Sequence, residues 1–247
     1  MEVHHHAHTA RKKWTHYFWE FLMLFLAVTL GFFVENQREH YIEAKREKQY
    51  IQSFYEDLTA DERDLQSNIS FLRSQAQQAD SLHSLLKSIT TKQPANIVYM
   101  YLRGVTRSTA GLLYPNDKTI VQLRNAGGMR LIRNKLVSDS MAVYYREIEI
   151  IRVLSQEGMI IKANLRERSM PLLNADDYVR IVDSASVIIN PAETIYLRQA
   201  DPEIINSCLI DINRIKTLNG GLAIRIQRLR ERAGRIKAFI KREYKLK

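Results

Sequence analysis

WTHYFWEFLMLFLAVTLGFFV, residues 14–34, is the stretch on which the fold turns. Its 21 residues make a helix of about 31 Å, close to the hydrocarbon thickness of a bilayer. Phe21 to Phe33 carries no charge, and Trp14, Tyr17 and Trp19 gather at the start, where amphipathic rings settle at headgroup level. These features predict one transmembrane helix over 14–34. Glu20 is its discordant residue, because a carboxylate at the bilayer centre costs about 2.5–3.5 kcal/mol. Lying near the start of the span, Glu20 can approach the interface, and His16, one turn earlier on the same face, is its expected partner. The alternative use of Glu20 is an intramembrane contact with another subunit. No small-x-small cleavage pattern follows the run, which instead continues as FFVENQREH into further helix; this reads as an uncleaved anchor, not a signal peptide.

Outward from the anchor, charge collects at the two ends. The net charge is +10, of which the head 1–13 (Arg11, Lys12, Lys13 against Glu2) holds +2 and residues 222–247 hold +8, leaving 14–221 neutral. A basic head packed against the membrane entry favours a cytoplasmic N-terminus. The expected location is therefore the bacterial inner membrane, with residues 35–247 as a periplasmic helical domain. Arg228, Arg232, Arg235, Lys241 and Arg242 are candidate contacts to an anionic surface. If the C-terminal helix folds back to the membrane, its cations favour an anionic cytoplasmic leaflet, which argues the other way.

Between Gly31 and Pro94 lie 62 residues without Gly or Pro, too long a stretch for a strand-rich fold. Within it Ile51, Leu58, Leu65, Leu72, Ala79 and Leu86 repeat every seven residues, predicting a coiled-coil-like helix over 37–90. A second long helix is expected over 203–245. Asp201 is its N-cap, Pro202 its first residue, and its stripe includes Cys208, Asn219, Ile226, Leu229, Ile236 and Ile240. The three-four spacing never slips across Asn219-Gly220-Gly221, so these residues read as helix, kinked or closely packed, with Asn219 setting register. The two helices are expected to pair as a packing seam around a middle of shorter helices. There Asn116-Asp117 caps a helix through Arg124, Gly127-Gly128 ends it in a left-handed turn, and Asn134 caps a helix with the stripe Val137, Met141, Tyr144, Ile148 and Ile151 that continues with weaker periodicity past Gly158 toward Pro171. YVRIVDSASVIIN, residues 178–190, stays open between helix and hairpin.

RKKWTHYFWEFLMLFLAVTLGFFVENQREH (11–40) and NDKTIVQLRNAGGMRLIRNKLVSDSMAVYY (116–145) resemble a family of uncharacterised single-pass membrane proteins of Gram-negative bacteria. Its members have a short basic head, one anchor and a helical domain of about this size. The resemblance rests on about a quarter of the chain and implies a cell-envelope location. It implies no activity and no functional residue.

Chemistry-bearing patterns are sparse. Of seven histidines none falls in the last 164 residues, so His83, beside Ser81 and Ser84, is the sole candidate base for a nucleophile, and its polar helix surface favours simple exposure. His4, His5, His6 and His8 could crowd around a cation but lack supporting partners. Asp57, Asp61 and Asp64 share a helix face, read as solvated. The single cysteine, Cys208, reads as a buried small hydrophobe. No catalytic, cofactor or metal site is expected. The expected function is a membrane-anchored interaction protein that scaffolds or tethers a protein partner or a second copy. One alternative is a ligand-sensing helical domain signalling through a partner. Another is nucleic-acid or anionic-lipid binding by the C-terminal helix, of which nucleic acid is the less favoured.

Overall fold

The computed structural model describes residues 14–107, 113–125 and 127–246, so the basic, histidine-containing head 1–13 lies outside the described residues. The fold is mostly α, 81% helix, with no strand among the described residues. In order the helices are α1 (Trp14–Ser88), α2 (Asn96–Val105), α3 (Lys118–Asn125), α4 (Lys135–Ser169), α5 (Ala175–Arg180) and α6 (Pro202–Tyr244). Short 3-10 turns cover Gly128–Leu131 and Met170–Leu172. The chain divides into two units between Gln49 and Tyr50.

In the first unit the apolar run of α1 is long and apolar enough to cross a membrane, and none of it is buried. Trp14 stacks near Phe18 (6.0 Å) and Phe21 near Phe25 (6.1 Å) along one face. Thr29 donates its hydroxyl to the Phe25 carbonyl at 2.7 Å, so this polar group is satisfied inside the helix. The helix runs unbroken past Val34, as FFVENQREH implied, since neither Gly nor Pro follows Gly31 until Pro94. The compact unit begins at Tyr50, where Ile51 and Phe54 are its first buried apolar side chains.

In the second unit residues 50–88 of α1 pack against α4 and α6. Asp61 meets Tyr144 and Gln75 meets Lys162, an ascending order on both helices, so α1 and α4 run parallel. Glu62 meets Lys237, Gln75 meets Asn219 and Asp80 meets Lys216, so α6 runs antiparallel to α1. Parallel α1 and α4 require a return connection along the bundle, and α2 and α3 lie on it. α4 runs on past Gly158 as its sequence implied, and its 35 residues make it a full member of a three-helix bundle, not part of a middle of shorter helices. Gly158 permits this, because a Cβ there would come within 3.1 Å of Leu218 on α6. The seam residues Ile51, Leu58, Leu65, Leu72, Leu86, Ile226, Leu229, Ile236 and Ile240 are all buried. All but Leu86 share one apolar cluster with Tyr144, Ile148 and Ile151 of α4, and Leu86 belongs to a second cluster.

Local signals hold where they were strongest. Asn134 Oδ1 accepts from Leu136 N and Val137 N, Asp201 Oδ1 accepts from Glu203 N and Ile204 N, and Gly127 adopts φ 59° after α3. Residues 178–190 take neither expected form whole: α5 ends at Arg180, and a bridge between Val182 and Ile188 closes a tight turn. Gly220 and Gly221 stay helical with nothing within 4 Å of where a Cβ would stand, so close packing is not their reason, and nothing in the structure explains them. Gly220→Ala with Gly221→Ala should therefore raise stability by about 1–2 kcal/mol. Chemical denaturation of the full chain in detergent would register the shift.

The acidic face of α1 is the main correction. Asp57 and Asp61 are not solvated. Asp57 Oδ2 accepts from Thr119 Oγ1 (2.6 Å) and Thr119 N (3.2 Å), within the first turn of α3. Asp61, 1% exposed, accepts from Asn116 N (2.8 Å), Asn116 Nδ2 (3.0 Å) and Tyr144 Oη (2.7 Å). Two carboxylates of one helix thus hold the start of another, doing from outside what an N-cap does from within. Asp64 alone remains exposed.

Candidate functional site

Three features carry the weight of a functional reading: the apolar run of α1, a polar layer inside the bundle, and the outer face of α6. In the apolar run, Trp14, Tyr17 and Trp19 are exposed together on the first turns. His16 Nε2 stands 3.7 Å from Glu20 Oε1, the i,i+4 partnership expected for that carboxylate.

The polar layer draws one residue from each long helix of the bundle. Gln75 of α1 accepts at Oε1 from Lys162 Nζ of α4 (2.7 Å) and Asn219 Nδ2 of α6 (3.3 Å), and donates Nε2 to the Gly104 carbonyl of α2 (3.0 Å). All three side chains are buried. The layer lies between two apolar clusters, one including Leu72, Ile151 and Leu222 and the other including Ala79, Ile161 and Ile215. A slip of any helix by one turn would strand these groups among aliphatic side chains, which is how a buried polar group fixes register. Asn219 was legible from the sequence as such a residue. Gln75 and Lys162 were not.

Burial pushes the Lys162 ammonium down to about 8 from an unfolded value of 10.5. The sign follows directly. Below pH 8 the lysine is charged in both states and its burial cost is fully present; between pH 8 and 10.5 the unfolded chain binds more protons, so stability rises with pH. Lys162→Met should stabilise the protein by about 2–3 kcal/mol at pH 7 and abolish its share of that rise. Denaturation midpoints at pH 7 and 9.5, wild type against variant, measure both effects.

On α6, Arg228, Arg232, Arg235 and Arg242 follow a spacing of four, three and seven and so occupy one outward stripe, whereas Lys241 lies beside it. Arg232 and Arg235 line a shallow depression of about 380 Å³ with Ser140, Ile236 and Phe239. The Arg242 guanidinium lies 5.5 Å from the Phe239 ring, and its Nε is 3.2 Å from Glu243. Other cations of this end are engaged in pairs between helices: Arg225 pairs with Glu147 (3.1 Å) and Lys237 with Glu62 (2.7 Å).

Remaining candidates separate cleanly. Cys208 is buried, and burial raises its thiol to about 11, so it packs as a small apolar side chain. His83 stays half-buried on α1, and its neighbour Asp80 pairs with Lys216. Among the described residues no group of three or more His, Cys, Asp or Glu could hold a metal ion. Against protein-family models, curated proteins and solved structures alike, the chain finds no match.

Proposed function

We propose that this chain is a non-enzymatic membrane tether: residues 14–34 cross the inner membrane once, N-terminus inside, and hold the three-helix bundle in the periplasm as a docking module. The observation that carries this reading is the wholly uncovered apolar run of α1, continuous with a helix that enters a folded bundle. The basic head and the resemblance to single-pass envelope proteins support the location. Because the seam is consumed within the chain, docking falls to outward faces. On α4, Ile150, Val153 and Ile160 share one face at helical spacing and remain exposed. Crosslinking of the full chain in native membranes should trap a second copy or a protein partner. Val153→Glu with Ile160→Glu should reduce the adduct severalfold. A strictly monomeric chain without adducts would overturn the proposal, and a periplasm-specific reporter at the C-terminus checks the side of the membrane.

A ligand-sensing bundle that signals through a partner is the second reading. One observation favours it: a cavity lined by arginines between α2, α4 and the turn at 182–188.

A further inference from the structure

We infer that this cavity is a binding site for a small organic oxyanion carrying two or more negative charges, a polycarboxylate or a phosphate ester. The cavity measures about 390 Å³, within the range of small-ligand sites. Arg103 and Arg107 reach it from the end of α2, Arg166 from the end of α4, Tyr178 from α5 and Ser186 from the turn. These elements are far apart in sequence, and the bundle brings three guanidinium groups to one concave surface.

Each arginine is held in place by a neutral group. The Arg103 guanidinium carbon lies 4.6 Å over the Tyr178 ring centroid. Arg107 Nη2 donates to the Ser186 carbonyl at 3.0 Å, and Arg166 Nη2 donates to the Thr106 carbonyl. A guanidinium has five N–H donors, so each contact fixes the fork and leaves donors for a ligand. Ser186 presents that carbonyl from a left-handed conformation, φ 62°, uncommon for a residue with a side chain. No carboxylate lines the cavity, and among the described residues none forms an ion pair with the three arginines. The nearby acids are committed elsewhere: Asp177 and Glu193 pair with Arg180, and Asp183 Oδ1 accepts from Ala185 N and Val187 N.

Three like charges on one cavity repel, and an oxyanion of charge −2 or more relieves that repulsion while accepting bidentate hydrogen bonds. A single carboxylate would leave most of the charge uncompensated. Met170 and Ile188 add apolar wall, which suits a carbon-bearing ligand over a bare ion. This inference does not depend on the docking role proposed above.

The test is calorimetric titration of the full chain in a non-ionic detergent, at constant ionic strength, with citrate and pyrophosphate as probes. Saturable binding of one or both is expected, and which one binds assigns carboxylate or phosphate chemistry. Arg107→Gln and Arg103→Gln should each weaken it at least tenfold, since a charge-assisted hydrogen bond is lost, and Arg107→Lys should weaken it by keeping charge without the fork. Arg152→Gln, an α4 arginine paired with Glu149 and outside the cavity lining, should leave it unchanged. No saturable binding of either probe, or equal weakening by Arg152→Gln and Arg107→Gln, would overturn the site.

Discussion

Asp61→Ala should destabilise the bundle by about 3–5 kcal/mol. Truncation removes the acceptor shared by Asn116 N, Asn116 Nδ2 and Tyr144 Oη, and so orphans one buried and two half-buried donors, at about 1–3 kcal/mol for each that water does not reach. It also frees the start of α3, which only Asp57 would still hold through Thr119. Asp61→Asn should cost less, because an amide oxygen keeps one or two of these bonds. Asp64→Ala, one turn on and exposed, should cost within about 0.5 kcal/mol. Denaturant unfolding of the three variants in detergent ranks them. Equal midpoints for Asp61→Ala and Asp64→Ala would contradict the clamp.

The pH response of Asp61 has a definite sign. Burial, the dominant influence, raises its carboxyl above 3.8, while the backbone and side-chain donors of Asn116 and Tyr144 pull the other way. A carboxyl raised on folding contributes stability that is fully present below 3.8 and lost as pH climbs through the folded-state value. Asp61 therefore does not drive acid unfolding, and Asp61→Asn should remove that loss.

Leu24→Arg with Val28→Arg should prevent stable membrane insertion altogether. Both side chains lie in the uncharged heart of the apolar run and are exposed along α1. Each arginine at the centre of a span adds about 2.5–3.5 kcal/mol, so the pair opposes insertion by about 5–7 kcal/mol. Snorkelling relieves a residue near an end of the span, as with Glu20, far better than one near its middle. Fractionation should move the variant from the membrane pellet to the soluble or aggregated fraction. A control pair, Gln52→Arg with Glu56→Arg on the exposed face of α1 in the bundle, should stay in the membrane.

What the sequence displayed of this fold was whatever depends on short range. Asn134, Asp201, Pro202 and Gly127 act within four residues, and each is found at the helix end its type implied. The stripes of α1 and α6 were legible because periodicity survives any partner. The identity of the partner was not. Asp57 and Asp61 share a face at helical spacing, which looks the same under water or under α3, and only α3 makes them a clamp. The extent of α4 past Gly158 toward Pro171 was legible, but its place as a third bundle helix was obscured by Gly158 and Lys162, a glycine and a charge on its inward face that serve close packing and the polar layer. Arg103, Arg107 and Arg166 came from segments with no shared motif, so nothing local could have joined them.

The central claim, that residues 14–34 are an uncleaved anchor, meets its most direct test in alkaline carbonate extraction of native membranes followed by intact-mass measurement. The account predicts a chain that resists extraction and whose mass still includes residues 14–34. A carbonate-soluble protein, or a membrane-free chain beginning after Val34, would contradict it.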